Sequence, residues 1–103
     1  MTDQERGMLH AKLSDTALLC QLAEEAAELA QAALKLRRVL AGDNPTPVTQ
    51  SQAEATLLEE FADVLTAAEV YGLLRYRSEI ERIQRNKFER WMDRLRWTER
   101  ERT

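Results

Sequence analysis

Residues that interrupt helices are scarce in this sequence, which has three glycines and two prolines among its 103 residues. Residues with a branched Cβ atom are also sparse, whereas Ala, Leu, Glu and Arg dominate. Aromatic residues make up only 6% of the chain, but apolar residues reach 44%, which argues against disorder and suffices for one modest core. The composition therefore predicts a single all-α domain over residues 1–103.

Three further absences exclude whole classes of protein. Cys20 is the only cysteine, so no internal disulfide can form. His10 is the only histidine, so the chain lacks the Cys/His spacing that binds zinc. No apolar run has the length of a membrane span, and the N-terminus lacks a signal-peptide pattern. We expect a cytoplasmic protein without a membrane partner.

Charge is unevenly distributed, although the net charge is only −3. Residues 1–74 carry 5 basic and 12 acidic side chains, whereas residues 75–103 carry 10 basic and 6 acidic ones. A basic C-terminal helix can supply cations to a polyphosphate site. Alternatively, its charges form i,i+4 pairs on a solvated face, such as Glu81 with Arg85. The interleaved acids and the acidic remainder argue against a nucleic-acid partner.

The apolar pattern and its breaks predict three main helices. Residues 1–13 form a polar arm or a short helix. A long helix then starts at Ser14 or Asp15, either of which is a good N-cap, and runs to about Leu40. Glycine and two prolines end it in a loop over residues 41–51.

A second main helix is predicted from near Ser51 to Tyr71, with Gly72 as its stop. Residues 73–77 form a turn. Ser78 then caps a third helix that runs to about Trp97, with Glu81 three residues after the cap in a capping-box pattern. A charged tail over residues 98–103 follows.

The first main helix is apolar around most of its circumference, which is unusual for a surface helix. One stripe and an adjoining apolar face are formed by Leu18, Leu22, Leu29 and Leu36, and by Leu19, Ala23, Ala27, Ala30 and Leu34. Such a helix belongs in the centre of a bundle, and two other helices cannot surround it. We therefore expect a small helical bundle completed by homo-oligomerisation, as a homodimer or a homotetramer.

Carboxylates interrupt the apolar faces of the first two main helices, each time at i,i+3 spacing. Glu25 lies within the leucine stripe, with Glu28 beside it. Glu60 lies on the apolar face of the next helix, with Asp63 at its edge. Burying an unpaired carboxylate costs several kcal/mol, roughly, so charges at these positions need compensation.

If the two helices pack antiparallel, the four carboxylates meet and raise one another's pKa values. A hard divalent cation removes that conflict, and oxygen ligands on rigid helices suit Mg²⁺, with Mn²⁺ as a possible substitute. The alternative is that these are ordinary exposed glutamates on alanine-rich helices. That alternative fits Glu24 and Glu59 as well as a functional role does, but it fits Glu25 poorly because of its leucine neighbours.

The third helix has a basic residue, rather than an acidic one, on its apolar face. Lys87 shares a face with Ile80, Ile83 and Trp91, and Asn86 and Arg90 lie beside it. A cation in such a position can bind phosphate oxygens or pair with a carboxylate. It can also extend along its aliphatic stem into water, which is the main competing explanation.

Taken together, Glu24-Glu25-x-x-Glu28, Glu60-x-x-Asp63 and Asn86-Lys87 on three successive helices resemble a known family. The chain resembles the all-α nucleoside triphosphate pyrophosphohydrolases, the MazG-like superfamily. The resemblance covers about residues 15–95, and residues 22–29 and 58–65 carry most of it. Members of this family use Mg²⁺ to hydrolyse nucleoside triphosphates between the α and β phosphates, which yields a monophosphate and pyrophosphate.

The resemblance implies roles for individual residues. Glu25, Glu28, Glu60 and Asp63 would be the metal ligands. Glu24 would be an auxiliary catalytic acid that orients or deprotonates the attacking water. The substrate would be a nucleoside triphosphate, and its phosphate chain would be contacted by Asn86, Lys87 and Arg90.

One departure from the family pattern is the long separation of its two acidic motifs. Thirty-one residues lie between Glu28 and Glu60, because of the loop over residues 42–50. This loop weakens any transfer of substrate specificity. The enzymatic alternative is phosphoribosyl-ATP pyrophosphohydrolase, which uses a similar motif. A different class of function, a non-catalytic helical oligomer that binds a protein partner, is favoured by the two apolar faces of the first main helix.

Overall fold

The computed structural model describes residues 1–42 and 45–102, with side chains described up to Trp97. Four α-helices occur in these residues, and a 3₁₀ turn over Leu73–Tyr76 precedes the last of them. They are α1 (Asp3–Lys12), α2 (Asp15–Ala41), α3 (Gln50–Tyr71) and α4 (Arg77–Arg102). No strand occurs in the described ranges, so the predicted all-α class is confirmed there. The predicted loop and tail include Asp43, Asn44 and Thr103, which lie outside the described residues.

Side-chain caps fix where the first three helices begin. Thr2 and Thr49 each close a capping box, with Glu5 and Gln52 respectively. Ser14 is the N-cap of α2, and its hydroxyl accepts a hydrogen bond from the Ala17 N–H at 3.2 Å. Each cap satisfies backbone donors that have no partner within the helix.

Glycine ends both long helices of the first part of the chain. Gly42 (φ 66°) follows α2 and Gly72 (φ 103°) follows α3, both in the left-handed region. A side chain at Cβ disfavours this conformation, which makes glycine the usual residue after a helix. The predicted stop at Gly72 is therefore where α3 ends.

The predicted start of the last helix at Ser78 is wrong. α4 begins at Arg77, directly after the 3₁₀ turn, so Ser78 lies inside the helix. Because Ser78 is the second residue of α4, it does not occupy the N-cap position. At the other end, the backbone stays helical to Arg102, past the predicted end at Trp97.

The described chain divides into two compact units, residues 1–73 and residues 74–103. In the first unit, α2 and α3 form an antiparallel hairpin, and α1 packs against α3. The hairpin seam repeats at alternating spacings of three and four residues, as in a coiled coil. On α2 and α3 it consists of Leu18, Leu22, Glu25, Leu29, Ala32, Leu36 and Val39, and of Ala53, Leu57, Glu60, Val64 and Ala67, all of them buried or half-buried.

α4 makes up nearly all of the second unit, and its apolar side chains are largely exposed. Trp91 and Trp97 are each 63% exposed, and Phe88 is 59% exposed. Among the described residues, no helix is both long enough and apolar enough to cross a membrane.

Candidate metal centre

The hairpin seam places two carboxylates among apolar side chains, one on each helix. Glu25 lies between Leu22 and Leu29, and Glu60 between Leu57 and Val64. Both glutamates are half-buried, as their neighbours are. The interpretation of Glu25 as an ordinary exposed glutamate does not fit this position.

The antiparallel pairing brings these two carboxylates together with the two that flank them. One oxygen from each of Glu25, Glu28, Glu60 and Asp63 can be chosen so that all four lie within 4.8 Å of one another. Glu28 and Asp63 are exposed, so the cluster has a buried side and a side open to solvent. All four belong to the first unit, and two successive helices supply them.

Hydrogen bonding satisfies only part of this cluster. Gln21 donates from Nε2 to Glu25 Oε1 at 2.7 Å. Glu25 Oε2 and Glu60 Oε2 are both buried and accept no hydrogen bond from the described residues. A buried carboxylate oxygen without a donor or a cation is costly, so these two atoms mark a position that favours positive charge.

The electrostatics of the cluster agree with this geometry. Desolvation raises the pKa of Glu25; the hydrogen bond from Gln21 opposes this shift, and the charges of Glu28 and Asp63 add to it. The pKa of Glu28 is also raised, first by a hydrogen bond with Glu60 and by the charge of that residue, and then by desolvation. Both shifts mean that the folded protein disfavours the ionised cluster when no cation is near.

The donor set defines which ions fit. Four carboxylates and no nitrogen or sulfur ligand suit a hard divalent cation rather than zinc. The two buried oxygens without a donor are the atoms that such an ion would satisfy. The four residues can therefore hold a hard divalent cation.

Two predicted groups of residues lie outside the cluster. Glu24 is exposed on α2 and lies one turn before Glu28, at i,i+4 spacing. Asn86, Lys87 and Arg90 are exposed on α4, in the second unit. The roles of all four residues stay predictions.

Cavities on the two sides of the cluster contain residues that the sequence analysis did not single out. On one side, Lys35 and Arg38 of α2 line a groove with Glu28 and Glu60. Their spacing from Glu28, seven and ten residues, is the helical signal that could have revealed them.

On the other side, Leu9 and Leu13 close a mostly apolar pocket that reaches Glu25 and Asp63. Contacts of α1 with the carbonyl groups at the end of α3 hold this wall in place. Arg6 donates from Nε to the Glu69 carbonyl oxygen at 3.2 Å, and the His10 ring donates to that of Val70. These contacts have no local sequence signal, because they join positions more than 50 residues apart.

Comparison of the chain with protein-family models, with curated proteins and with solved structures finds no match.

Proposed function

We propose that this protein is a Mg²⁺-dependent pyrophosphohydrolase that cleaves a nucleoside triphosphate between its α and β phosphates, with Mn²⁺ as a possible substitute ion. The observation that carries the proposal is the pair of buried carboxylate oxygens, Glu25 Oε2 and Glu60 Oε2, within a cluster of four acids. The same four acids belong to the motifs that resemble the MazG-like superfamily.

Clustering alone is weak support, because exposed acidic groups are common in proteins without a bound metal. Two features distinguish this cluster from such a surface. Glu25 and Glu60 occupy seam positions where an apolar side chain would stabilise the hairpin. Two partly desolvated carboxylates repel each other and do not stabilise the hairpin, so they are better explained by function than by stability.

Phosphoryl-group chemistry requires positioning and charge neutralisation more than covalent participation by the protein. Glu25, Glu28, Glu60 and Asp63 would hold Mg²⁺, which supplies positive charge against the phosphate oxygens in the transition state. The oxygen of water forms a bond to the α-phosphorus, the bond from phosphorus to the bridging oxygen breaks, and pyrophosphate leaves with the electron pair. Glu24 is placed one turn from Glu28 and would orient this water and accept its proton.

A substrate panel tests the proposal directly. Purified protein is incubated with each common ribo- and deoxyribonucleoside triphosphate, and with phosphoribosyl-ATP, in the presence of Mg²⁺ or Mn²⁺. Release of pyrophosphate with one or more of the nucleoside triphosphates is expected. Turnover of phosphoribosyl-ATP alone would favour the alternative enzyme of histidine biosynthesis, and no release across the whole panel would contradict both assignments.

The proposed assembly is a homodimer or homotetramer. Leu19 and Leu34 on α2, and Leu58, Phe61 and Leu65 on α3, are between 45% and 70% exposed in the single chain. No side chain of the described residues is both large and fully buried. A chain with so small a core gains most from covering these apolar stripes with a second copy.

The same exposed stripes favour a second candidate function, a non-catalytic helical oligomer that binds a protein partner. Thermal melting with Mg²⁺ and a non-hydrolysable nucleoside triphosphate separates the two functions. The enzyme should melt at a higher temperature in the presence of both ligands, because ligands that bind only the folded state stabilise it. An unchanged melting temperature would favour the interaction module.

A further inference from the structure

A groove of about 630 Å³ leads away from the carboxylate cluster between α2 and α3. Glu28 and Glu60 line it together with Lys35, Arg38 and Thr56. Because the helices are antiparallel, the groove runs along the C-terminal half of α2 and the N-terminal half of α3. It lies entirely within the first unit.

The two cations of the groove have no ionic partner in the described part of the chain. Lys35 and Arg38 are half-buried, at i,i+3 spacing on one face of α2. Neither forms an ion pair with any described acidic side chain, although four carboxylates lie on the same hairpin. Partly desolvated cations without a partner favour the arrival of an anion.

The spacing of these side chains suits an extended anion. At 1.5 Å per residue, the backbone positions of Lys35 and Arg38 lie about 10 Å and 15 Å along α2 from that of Glu28. The Cα–Cβ bonds of a helix tilt toward its N-terminus, which favours placement of both cationic groups on the Glu28 side of their backbone positions. Arginine also matches two phosphate oxygens at once through its planar guanidinium group.

The pocket on the opposite side of the cluster differs from this groove. The pocket there, of about 290 Å³, is lined by Leu9, Leu13 and Leu18, together with the carboxylates of Glu25 and Asp63. Among the described residues that line this pocket, none is basic. Within the first unit, compensating charge for a polyphosphate chain therefore lies along the groove rather than in this pocket.

We propose that Lys35 and Arg38 form a polyphosphate-binding arm, which holds the distal phosphates of the substrate in the groove between α2 and α3. This inference rests on the proposed function, because it assumes that a phosphate reaches the carboxylate cluster. It assigns phosphate binding to α2, in addition to the residues predicted on α4. The ligand it requires is a linear chain of at least two phosphates.

Binding of inorganic triphosphate in the presence of Mg²⁺, measured by calorimetry, tests the arm without any need for turnover. Lys35→Gln and Arg38→Gln should each weaken binding about tenfold, the loss typical of one charge-assisted hydrogen bond. Arg37→Gln is the matched control, since Arg37 is an exposed neighbour on α2 that does not line the groove. It should change the affinity less than about twofold.

A second measurement separates a binding role from a structural one. Affinity for Mn²⁺ alone, followed by the signal of the free ion in electron paramagnetic resonance, should be unchanged or higher in Lys35→Gln and Arg38→Gln, because each change removes a positive charge near the cluster. A loss of Mn²⁺ affinity together with triphosphate affinity would assign both residues to structure and overturn the proposal.

The remaining outcomes distinguish the arm from the proposed function. If both variants bind triphosphate as the wild type does, the arm is wrong and the proposed hydrolysis is unaffected. If the affinities change as expected but no nucleoside triphosphate is hydrolysed, the arm stands and the proposed function fails. If wild-type protein does not bind inorganic triphosphate, the arm is overturned whatever the hydrolysis panel shows.

Discussion

α3 and α4 have similar sequence patterns, but only α3 has its apolar stripe buried or half-buried in the described structure. Each helix has an apolar stripe with one charged residue inside it, Glu60 in α3 and Lys87 in α4. Glu60 is half-buried on the seam with α2, whereas Lys87 is exposed and Trp91 on its stripe is 63% exposed. An apolar stripe thus shows which face of a helix can be buried. That face is buried only where another element packs against it.

This difference in burial decides how strongly the structure supports a functional role for each of the two charged residues. One oxygen of the Glu60 carboxylate is buried without a hydrogen-bond donor from the described residues, so a cation beside it would be stabilised. Lys87 keeps its water in the described structure and needs no compensation. A role for Lys87 therefore depends on the resemblance, whereas a role for Glu60 also has a physical basis.

The largest expected effect comes from removing the half-buried charge on α3. Glu60→Gln should lower Mg²⁺-dependent pyrophosphate release by more than about 100-fold, since loss of a direct ligand should exceed the 10–100-fold typical of groups behind the ligands. Glu59→Gln removes the same charge from an exposed neighbour outside the cluster, and should leave kcat/KM within about threefold. Equal activity in the two variants would remove the functional distinction between seam and surface.

Breaking the exposed stripe of α3 should have the next largest effect. Leu58 and Leu65 are 70% and 48% exposed in the single chain, and the proposed assembly covers them. A Leu58→Gln/Leu65→Gln double variant should weaken self-association by more than about 100-fold, because each copy loses two apolar contacts.

Sedimentation equilibrium measures this effect, with Glu59→Gln as a control that adds no apolar change. An unchanged association constant in the double variant would place the contact between copies elsewhere on the chain. A wild-type protein that is monomeric at all concentrations would reject the oligomer.

The cluster should also make stability depend on pH in a direction set by Glu28. Its pKa is raised in the folded protein, so the folded state binds the proton more tightly than the unfolded chain does. The resulting stabilisation is full below the ordinary glutamate pKa of about 4.3, and is lost as the pH rises through the raised value. Glu28→Gln cannot ionise, so its melting temperature should rise relative to that of the wild type between about pH 4 and pH 7.

Added Mg²⁺ should reverse this advantage at neutral pH, because the ion stabilises wild-type protein and has lost a ligand in the variant. Thermal denaturation with and without Mg²⁺ at both ends of the pH range checks the two effects together. A melting-temperature difference that does not vary with pH would show that Glu28 titrates normally.

Local chemistry explains why much of the fold and the carboxylate cluster could be predicted from sequence. The Ser14 cap of α2, and the glycines that end α2 and α3, depend on residues within one turn of the boundary, whereas the Thr49 cap of α3 was not predicted. Glu25 and Glu60 could be recognised because a carboxylate interrupts the three-four repeat of apolar residues. Their meeting required only an antiparallel hairpin, the usual arrangement of two helices joined by a short loop.

The features that could not be predicted depend on contacts distant in sequence. Arg6 and His10 hold α1, which closes the apolar pocket, against carbonyl groups at the end of α3. Neither residue lies in a sequence pattern that predicts which group it contacts. The groove with Lys35 and Arg38 appears only when the first turns of α3 lie opposite them. Their spacing from Glu28 places them near its face of α2, but basic residues near a helix C-terminus are also common for electrostatic reasons alone, so spacing does not by itself indicate a binding role.

The smallest predicted effect concerns Ser14 and Ser78, two serines that both fit the N-cap pattern in the sequence. Ser14→Ala should lower the free energy of unfolding by about 1 kcal/mol, because the Ala17 N–H loses its acceptor at the start of α2. Ser78→Ala should change it by less than about 0.5 kcal/mol, since Ser78 is exposed and lies within α4 rather than at its N-cap. Urea denaturation of the two variants and the wild type measures both values. Equal losses would show that Ser78 caps a separate helix, and that the turn and α4 are not continuous in solution.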